Sequence, residues 1–172
     1  MLKHYLKSQF LLLVICLSVA SCGIIPPPYG YHERNNSSTL SKEDLLRDDV
    51  LHFAKKHVGA KYQYGGKDPN GFDCSGFTYF VMKEFDIQLE RTSRSQEKAG
   101  RSIRLNEVRP ADLVFFRRSP ASSVFHVALV MSNDRKGLQV IHSTSRGVVI
   151  ENISDSSYWK PKLSSARTVI SR

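Results

Sequence analysis

The chain has 172 residues, of which 41% are hydrophobic, and its formal net charge is +9 at pH 7. This length accommodates one domain with a substantial core. The basic residues are scattered rather than blocked, and neither a paired CxxC nor a phosphate-binding glycine loop occurs. We therefore expect no metal, no cofactor and no nucleic-acid partner.

The N-terminus has the pattern of an export signal. Lys3 and Lys7 precede the apolar residues 10–20, a stretch shorter than the roughly 20 residues of a membrane-crossing helix. The tetrapeptide VASC at residues 19–22 resembles the lipobox of bacterial lipoproteins, in which the cysteine is lipidated and the chain is cut before it. That resemblance makes Cys22 a lipid anchor. The alternative is an ordinary signal peptide with a chance cysteine.

Three segments follow from this interpretation. Residues 1–21 form the signal peptide, and their removal leaves 151 residues with a net charge of +7. Residues 22–40 are rich in Pro, Gly, Asn and Ser, which predicts a flexible tether between the membrane and a domain at residues 41–172. Gly23, rather than an aspartate, follows the lipidated cysteine, which favours an outer membrane with the domain facing the periplasm.

Helical patterns come first in the domain. Ser41 is the predicted cap of a helix with apolar residues at helical spacing, and Gly59 provides its stop. After a loop rich in turn formers, a second, buried helix begins at or beside Cys74. A third, short helix begins at residue 92 or 93, where two overlapping capping boxes occur.

Strand patterns occupy the second half of the chain. The apolar or β-branched runs are short, are separated by turn residues, and predict an antiparallel meander. They lie at residues 112–117, 125–132, 138–143, 148–152 and 166–171. The sequence therefore predicts an α+β fold, helices first.

Cys74 is the one cysteine left inside this domain, since Cys16 lies in the signal and Cys22 in the lipobox. A lone thiol in an exported chain is either an incidental buried residue or a reactive group. A helix N-terminus and a nearby imidazole can lower a cysteine pKa from ~8.5 to roughly 3.5 to 7.5. Backbone amides at Cys74 and Ser75 are positioned to bind an oxyanion, and Ser75 and Gly76 are small enough to leave room for it.

Two histidines are candidates for a base. Four of the six fall in the signal, the tether or the first helix: His4, His32, His52 and His57. His126 begins one predicted strand and His142 ends the next, so their side chains approach one another if these strands are neighbours. A structural role is the simpler interpretation of either histidine alone, but together with the lone thiol they favour a nucleophile, a base and a residue that orients the base.

An ordered set of motifs resembles a known family, the NlpC-type cysteine peptidases of bacterial cell walls. The similarity runs from about residue 46 to the C-terminus. The motifs are YQYGG (62–66), GFDCSGF (71–77), RTS (91–93), DLVFF (112–116), HVA (126–128), IHS (141–143) and YW (158–159). The resemblance implies a papain-like α+β fold, with the nucleophile at a helix N-terminus packed on a C-terminal antiparallel sheet. It also implies cleavage of amide bonds in peptidoglycan stem peptides or cross-links through an acyl-enzyme.

The resemblance assigns roles by position. Cys74 matches the nucleophile, His126 the general base and later acid, and His142 the residue that orients His126. Tyr62 matches a tyrosine whose hydroxyl helps to hold the oxyanion, with packing as its alternative role.

Three further residues, Ser75, Asp73 and Arg91, are assigned to the oxyanion or substrate-binding side. A turn or cap role for Asp73 and a structural or solvated role for Arg91 remain open. Three positions depart from the residues usual in the family: Glu90 for proline, and Ala111 and Ala128 for glycine.

Two other functions remain open at this stage. One is a peptidoglycan-binding lipoprotein whose catalytic set is vestigial, and the other is an amidase or acyltransferase that uses the same nucleophile. The identity of the cleaved bond is also open: the candidates are the D-alanyl–diaminopimelate cross-link and the γ-D-glutamyl–diaminopimelate bond.

Overall fold

The computed structural model describes residues 40–170, which fold into an α+β unit. Within these residues three α-helices precede most of the strands: α1 (Lys42–Lys55), α2 (Cys74–Lys83) and α3 (Ser93–Gln96). None of the helices within this described part of the chain is long and apolar enough to cross a membrane. The predicted signal peptide, the lipidated Cys22 and all but the last residue of the tether lie outside it.

Local signals at the helix starts predicted the helices correctly. Ser41 and Asp44 form a reciprocal capping box on α1, in which the Ser41 hydroxyl accepts from the Asp44 N–H. Asp73 caps α2, and the Thr92 hydroxyl accepts from the Ser95 N–H at the start of α3. Gly59 follows α1 with φ +87°, a left-handed conformation that glycine adopts without strain.

The strands form two antiparallel sheets. A two-residue pair, β1 (Lys67–Asp68) and β2 (Gly71–Phe72), precedes α2. The main sheet contains β3 (Arg101–Ile103), β4 (Leu113–Arg117), β5 (Val124–Asp134), β6 (Gly137–Thr144), β7 (Gly147–Asn152) and β8 (Leu163–Thr168). Its order is β3-β8-β4-β5-β6-β7. The expected meander holds for β4 to β7, but β8 returns to the far side and pairs with β4 and β3, which the sequence analysis did not anticipate.

Both faces of the main sheet are buried. Along β4, Leu113 and Phe115 contribute to a core shared with α1 and α2, whereas Val114 and Phe116 contribute to a second core on the other face. This alternation is the period of a β-strand. Because α2 packs on β5 and β6, the first turn of α2 comes close to the strands that carry the two candidate histidines.

The turn before β4 is held from both sides by a buried arginine. Arg47 of α1 donates to the Pro110 carbonyl at 2.6 Å and to Asp112 Oδ1 at 2.9 Å. Between them Ala111 has φ +66°, in the region that favours glycine, which accounts for the glycine that the family usually has here.

Candidate active site

Cys74 is the first residue of α2, as the sequence analysis predicted, and its thiol is free and partly buried. Asp73 is the N-cap, and its Oδ1 accepts from the Gly76 N–H at 2.7 Å. Several of the first N–H groups of an α-helix have no partner inside the helix. The sequence around Cys74 therefore places the sulfur next to backbone donors.

Asp73 and Arg91 hold this helix start in place. Arg91 Nη2 donates to Asp73 Oδ2 at 2.7 Å and to the Gly66 carbonyl at 3.0 Å, and Nη1 donates to Asp73 Oδ1 at 2.9 Å. Burial raises the pKa of Asp73, but the bonds from Arg91 and the Gly76 N–H outweigh it and hold this pKa below its usual value. In this structure both side chains engage one another rather than pointing freely into solvent.

Gly76 is small for a reason that the sequence analysis did not identify. A Cβ at this position would lie 1.9 Å from the Gly66 carbonyl oxygen, so the loop before α2 passes directly over it. Ser75 is buried beside it, and the Ser75 hydroxyl donates to Asp73 Oδ1 at 3.1 Å. Ser75 and Gly76 thus allow the loop before α2 to pack closely on the first turn of α2.

The two candidate histidines meet, and their predicted approach is confirmed. His126 of β5 and His142 of β6 are buried, and Nε2 of His126 lies 3.0 Å from Nδ1 of His142. Trp159 packs against both rings: its ring centroid is 4.5 Å from that of His126 and 5.1 Å from that of His142, with the planes tilted by 30° and 55°. The catalytic roles of the two histidines stay predictions.

The Glu151 carboxylate extends the histidine pair into a row of three side chains, His126, His142 and Glu151. Sequence reasoning did not find it. His142 Nε2 lies 3.0 Å from Glu151 Oε2 on β7, and the other oxygen of Glu151 pairs with Arg146. The signal that could have found it is the turn at residues 145–146, which sets the β6–β7 register. That register pairs Val149 with His142, so Glu151 is the diagonal neighbour of His142 on the same face.

One cleft of about 710 Å³ brings the thiol and the His126 imidazole together. Cys74 and His126 both line it, and so do Tyr62 and Trp159. A hydrogen-bonding interaction with the backbone of Val127, the residue directly after His126, lowers the pKa of the Cys74 thiol. Tyr62 is 43% exposed; burial raises the pKa of its phenol, and charge on Cys74 raises it further.

The charges in the cleft differ from the sequence expectation of a lowered thiol pKa. Burial raises the pKa of the Cys74 thiol, against hydrogen bonds from the N–H groups of Val127 and Ser75 that lower it. Burial also lowers the pKa of both histidines: that of His126 falls well below 6.5, and that of His142 falls to about 4. At neutral pH the structure therefore favours a neutral thiol beside neutral imidazoles, rather than a preformed ion pair.

The helix that begins at a cysteine and packs on an antiparallel sheet with paired histidines defines a papain-like α+β protein. The chain belongs to the NlpC/P60 family, whose model matches residues 59–168. The resemblance and the fold class expected from the sequence are both confirmed.

Relatives and solved structures agree with this assignment. The chain is 33% identical over 163 residues to the "Probable endopeptidase NlpC" of Escherichia coli, which covers 92% of this chain and 97% of the relative. It is 37% identical over 116 residues to the "Murein DD-endopeptidase MepS/Murein LD-carboxypeptidase" of Escherichia coli, covering 66% of this chain and 58% of that protein. A crystal structure of an NlpC/P60 family protein from Bacillus cereus superposes with a TM-score of 0.67 at 29% identity, covering 73% of this chain and 40% of that one. The family is therefore one of enzymes, and relatives of this chain are named endopeptidases.

Proposed function

We propose that this chain is a cysteine endopeptidase that cleaves amide bonds in peptidoglycan stem peptides or cross-links. The observation that carries the proposal is that Cys74 and His126 line one cleft while Nε2 of His126 lies 3.0 Å from Nδ1 of His142. A thiol, a neutral imidazole and a second ring behind it are the parts of a nucleophile, a base and an orienting group. The names of the relatives supply the substrate class.

The reaction follows from these groups. The Cys74 sulfur attacks the carbonyl carbon of the scissile amide, and its proton passes to the nitrogen of His126 that does not face His142. The carbonyl oxygen becomes an oxyanion, for which the Cys74 backbone N–H and the Tyr62 hydroxyl are the proposed donors. His126 then returns its proton to the leaving amine, and the C–N bond breaks.

This step leaves an acyl group on sulfur as a thioester. A water molecule attacks the thioester carbonyl and gives a proton to His126 as it does so. The tetrahedral intermediate expels the sulfur, which regains its proton from His126, and the product leaves with a new carboxylic acid, which gives its proton to solvent. One amide bond is hydrolysed, and the enzyme returns to its starting protonation.

Product analysis on defined muropeptides tests this proposal. We expect the wild-type protein to cleave a cross-linked dimer or its stem peptide, and Cys74→Ala to leave both intact. The masses of the products identify the bond. Equal cleavage by both proteins, or by neither, would refute the proposed mechanism.

We further propose that residues 1–21 are a signal peptide and that lipidated Cys22 tethers the domain to the outer membrane. The lipobox resemblance of residues 19–22 supports this proposal. Metabolic labelling with a radioactive or alkyne-bearing palmitate should label the wild-type protein and spare Cys22→Ser. Fractionation of the envelope should find the label in the outer membrane, and a protein without label or membrane association would contradict the proposal.

A further inference from the structure

Glu151 contacts the nitrogen of His142 that does not face His126. Its Oε2 is 3.0 Å from His142 Nε2, and its Oε1 pairs with Arg146. The His142 side chain is completely buried, and that of Glu151 is only 20% exposed. Such a contact is shielded from competition by bulk water, so it constrains where the protons of the row reside.

The protons can be assigned from one end of the row to the other. A carboxylate accepts hydrogen bonds and donates none, so His142 Nε2 carries a proton and donates it to Glu151. A neutral imidazole has a single N–H, and His142 Nδ1 is therefore an acceptor. The proton in the 3.0 Å contact between the rings must then belong to His126 Nε2.

This assignment leaves Nδ1 of His126 without a proton. Nδ1 is the nitrogen that does not face His142, and it carries the lone pair that a base needs in order to take the thiol proton. If the hydrogen bonds of this row had the opposite direction, His142 Nδ1 would donate to His126 Nε2. His126 would then carry its proton on Nδ1 and would be unable to accept another from the thiol.

We propose that Glu151 is a positioning residue that fixes the tautomers of both imidazoles, so that His126 presents a bare Nδ1 to Cys74. This inference rests on the proposed function. When Cys74 transfers its proton, His126 holds protons on both nitrogens and becomes an imidazolium. The negative charge of Glu151, relayed by the neutral ring of His142, stabilises that cation, and no proton leaves His142.

Arg146 determines how a substitution of Glu151 behaves. In Glu151→Gln, the Arg146 guanidinium can only donate, so it draws the amide oxygen toward itself and turns the amide NH2 toward His142. His142 Nε2 must then accept, which reverses the row and puts a proton on His126 Nδ1. Removing the guanidinium in Glu151→Gln/Arg146→Met frees the amide to flip and to accept from His142 Nε2 again.

The kinetic expectation is specific to this mechanism. Glu151→Gln should lower kcat on a defined muropeptide by at least about 100-fold, because the wrong tautomer of a catalytic histidine costs up to ~10⁴-fold in a Ser-His-Asp triad, and change KM less than about twofold. The kcat of the double variant should be at least about threefold higher than that of Glu151→Gln. Glu84→Gln, the same change at an exposed site on the C-terminal cap of α2, is the matched control.

The deciding experiment reads the tautomers directly and needs no activity. Long-range ¹H–¹⁵N NMR of the histidine rings should find His126 and His142 protonated on Nε2 in the wild type and on Nδ1 in Glu151→Gln. It should find Nε2 protonation again in the double variant. Unchanged tautomers in Glu151→Gln, or an unchanged kcat, would overturn the inference. A wild-type protein inactive on muropeptides but with these tautomers would refute the proposed function alone.

Discussion

His126 and His142 are diagonal neighbours on adjacent strands, with Nε2 of the first 3.0 Å from Nδ1 of the second. The pairing of Leu129 with Ile141 sets this relationship, because extending it by one residue puts Ala128 opposite His142 and leaves His126 two positions along β5. Trp159 covers both rings and restrains their planes. His126, the base of the proposed mechanism, is thus oriented by His142 on the neighbouring strand as well as by its own position on β5.

Substitution of His142 tests this orientation. His142→Ala should lower kcat by about two to three orders of magnitude with little change in KM, because His126 loses its acceptor and turns freely. His142→Gln should retain about tenfold more activity, since its amide oxygen can accept from His126 Nε2. Steady-state kinetics on one muropeptide measures both, and equal losses in the two variants would contradict an orienting role.

Burial of His142 makes the stability of the fold depend on pH. Its pKa is lowered from 6.5 to about 4, so the unfolded chain binds more protons between these values. The neutral ring contributes fully above about pH 6.5, and that contribution is lost as the pH falls toward 4. The difference between pH 7.5 and pH 4.5 is roughly 2 to 3 kcal/mol from this group.

Urea unfolding at the two pH values measures this effect. His142→Gln removes the titrating ring, and its free energy of unfolding should decrease less on acidification than that of the wild type. Carboxylates titrate in both proteins, so the comparison isolates the imidazole. Parallel decreases in the two proteins would show that His142 is not buried in its neutral form.

Gly76→Ala tests the close approach of the loop to α2. The added Cβ would meet the Gly66 carbonyl oxygen at 1.9 Å, a backbone atom that also accepts from Arg91. We expect a loss of more than about 2 kcal/mol in the free energy of unfolding, together with displacement of Cys74 and loss of activity.

Gly59→Ala is the matched control for this change. Its Cβ would meet nothing within 4 Å, so its cost comes from φ +87° alone and is about 1 kcal/mol. Chemical denaturation of both variants gives the comparison. If Gly76→Ala lowers the free energy of unfolding no more than Gly59→Ala does, the loop before α2 moves aside at little cost and the predicted clash is wrong.

Arg91→Ala separates the structural from the substrate-binding interpretation of this residue. Arg91 donates to Asp73, Ser75 and the Gly66 carbonyl, and its side chain is 33% exposed. Loss of these charge-assisted bonds should lower the free energy of unfolding by about 2 kcal/mol, while KM stays within about threefold. A large increase in KM at unchanged stability would instead support the substrate-binding role expected from the family resemblance.

Local signals made part of the structure predictable. The capping box of Ser41 with Asp44 and the cap at Thr92 act within one turn of helix, so the sequence was sufficient to place α1 and α3. The start of α2 at or beside Cys74 was predicted instead from the helical spacing of the apolar residues after it and the turn formers before it. These signals depend on neighbours three or four residues away and not on tertiary packing.

The remaining features depend on distant partners. The insertion of β8 between β3 and β4 pairs residues 163–168 with residues about 47 to 67 positions earlier, and no local pattern encodes that choice. The raised pKa of the Cys74 thiol comes mainly from burial, which the sequence does not reveal. Glu151 lay within reach of sequence reasoning, because the turn at residues 145–146 fixes its register with His142.

The most direct test of the central claim is to trap the acyl group on Cys74. Rapid acid quenching of the wild-type protein with a defined muropeptide, followed by intact-protein and peptide mass spectrometry, should find a thioester adduct on the peptide that contains Cys74. Its mass should equal that of the acyl part of the cleaved substrate, and Cys74→Ala should show neither adduct nor cleavage. Cleavage that persists in Cys74→Ala, or an adduct on another residue, would contradict the account.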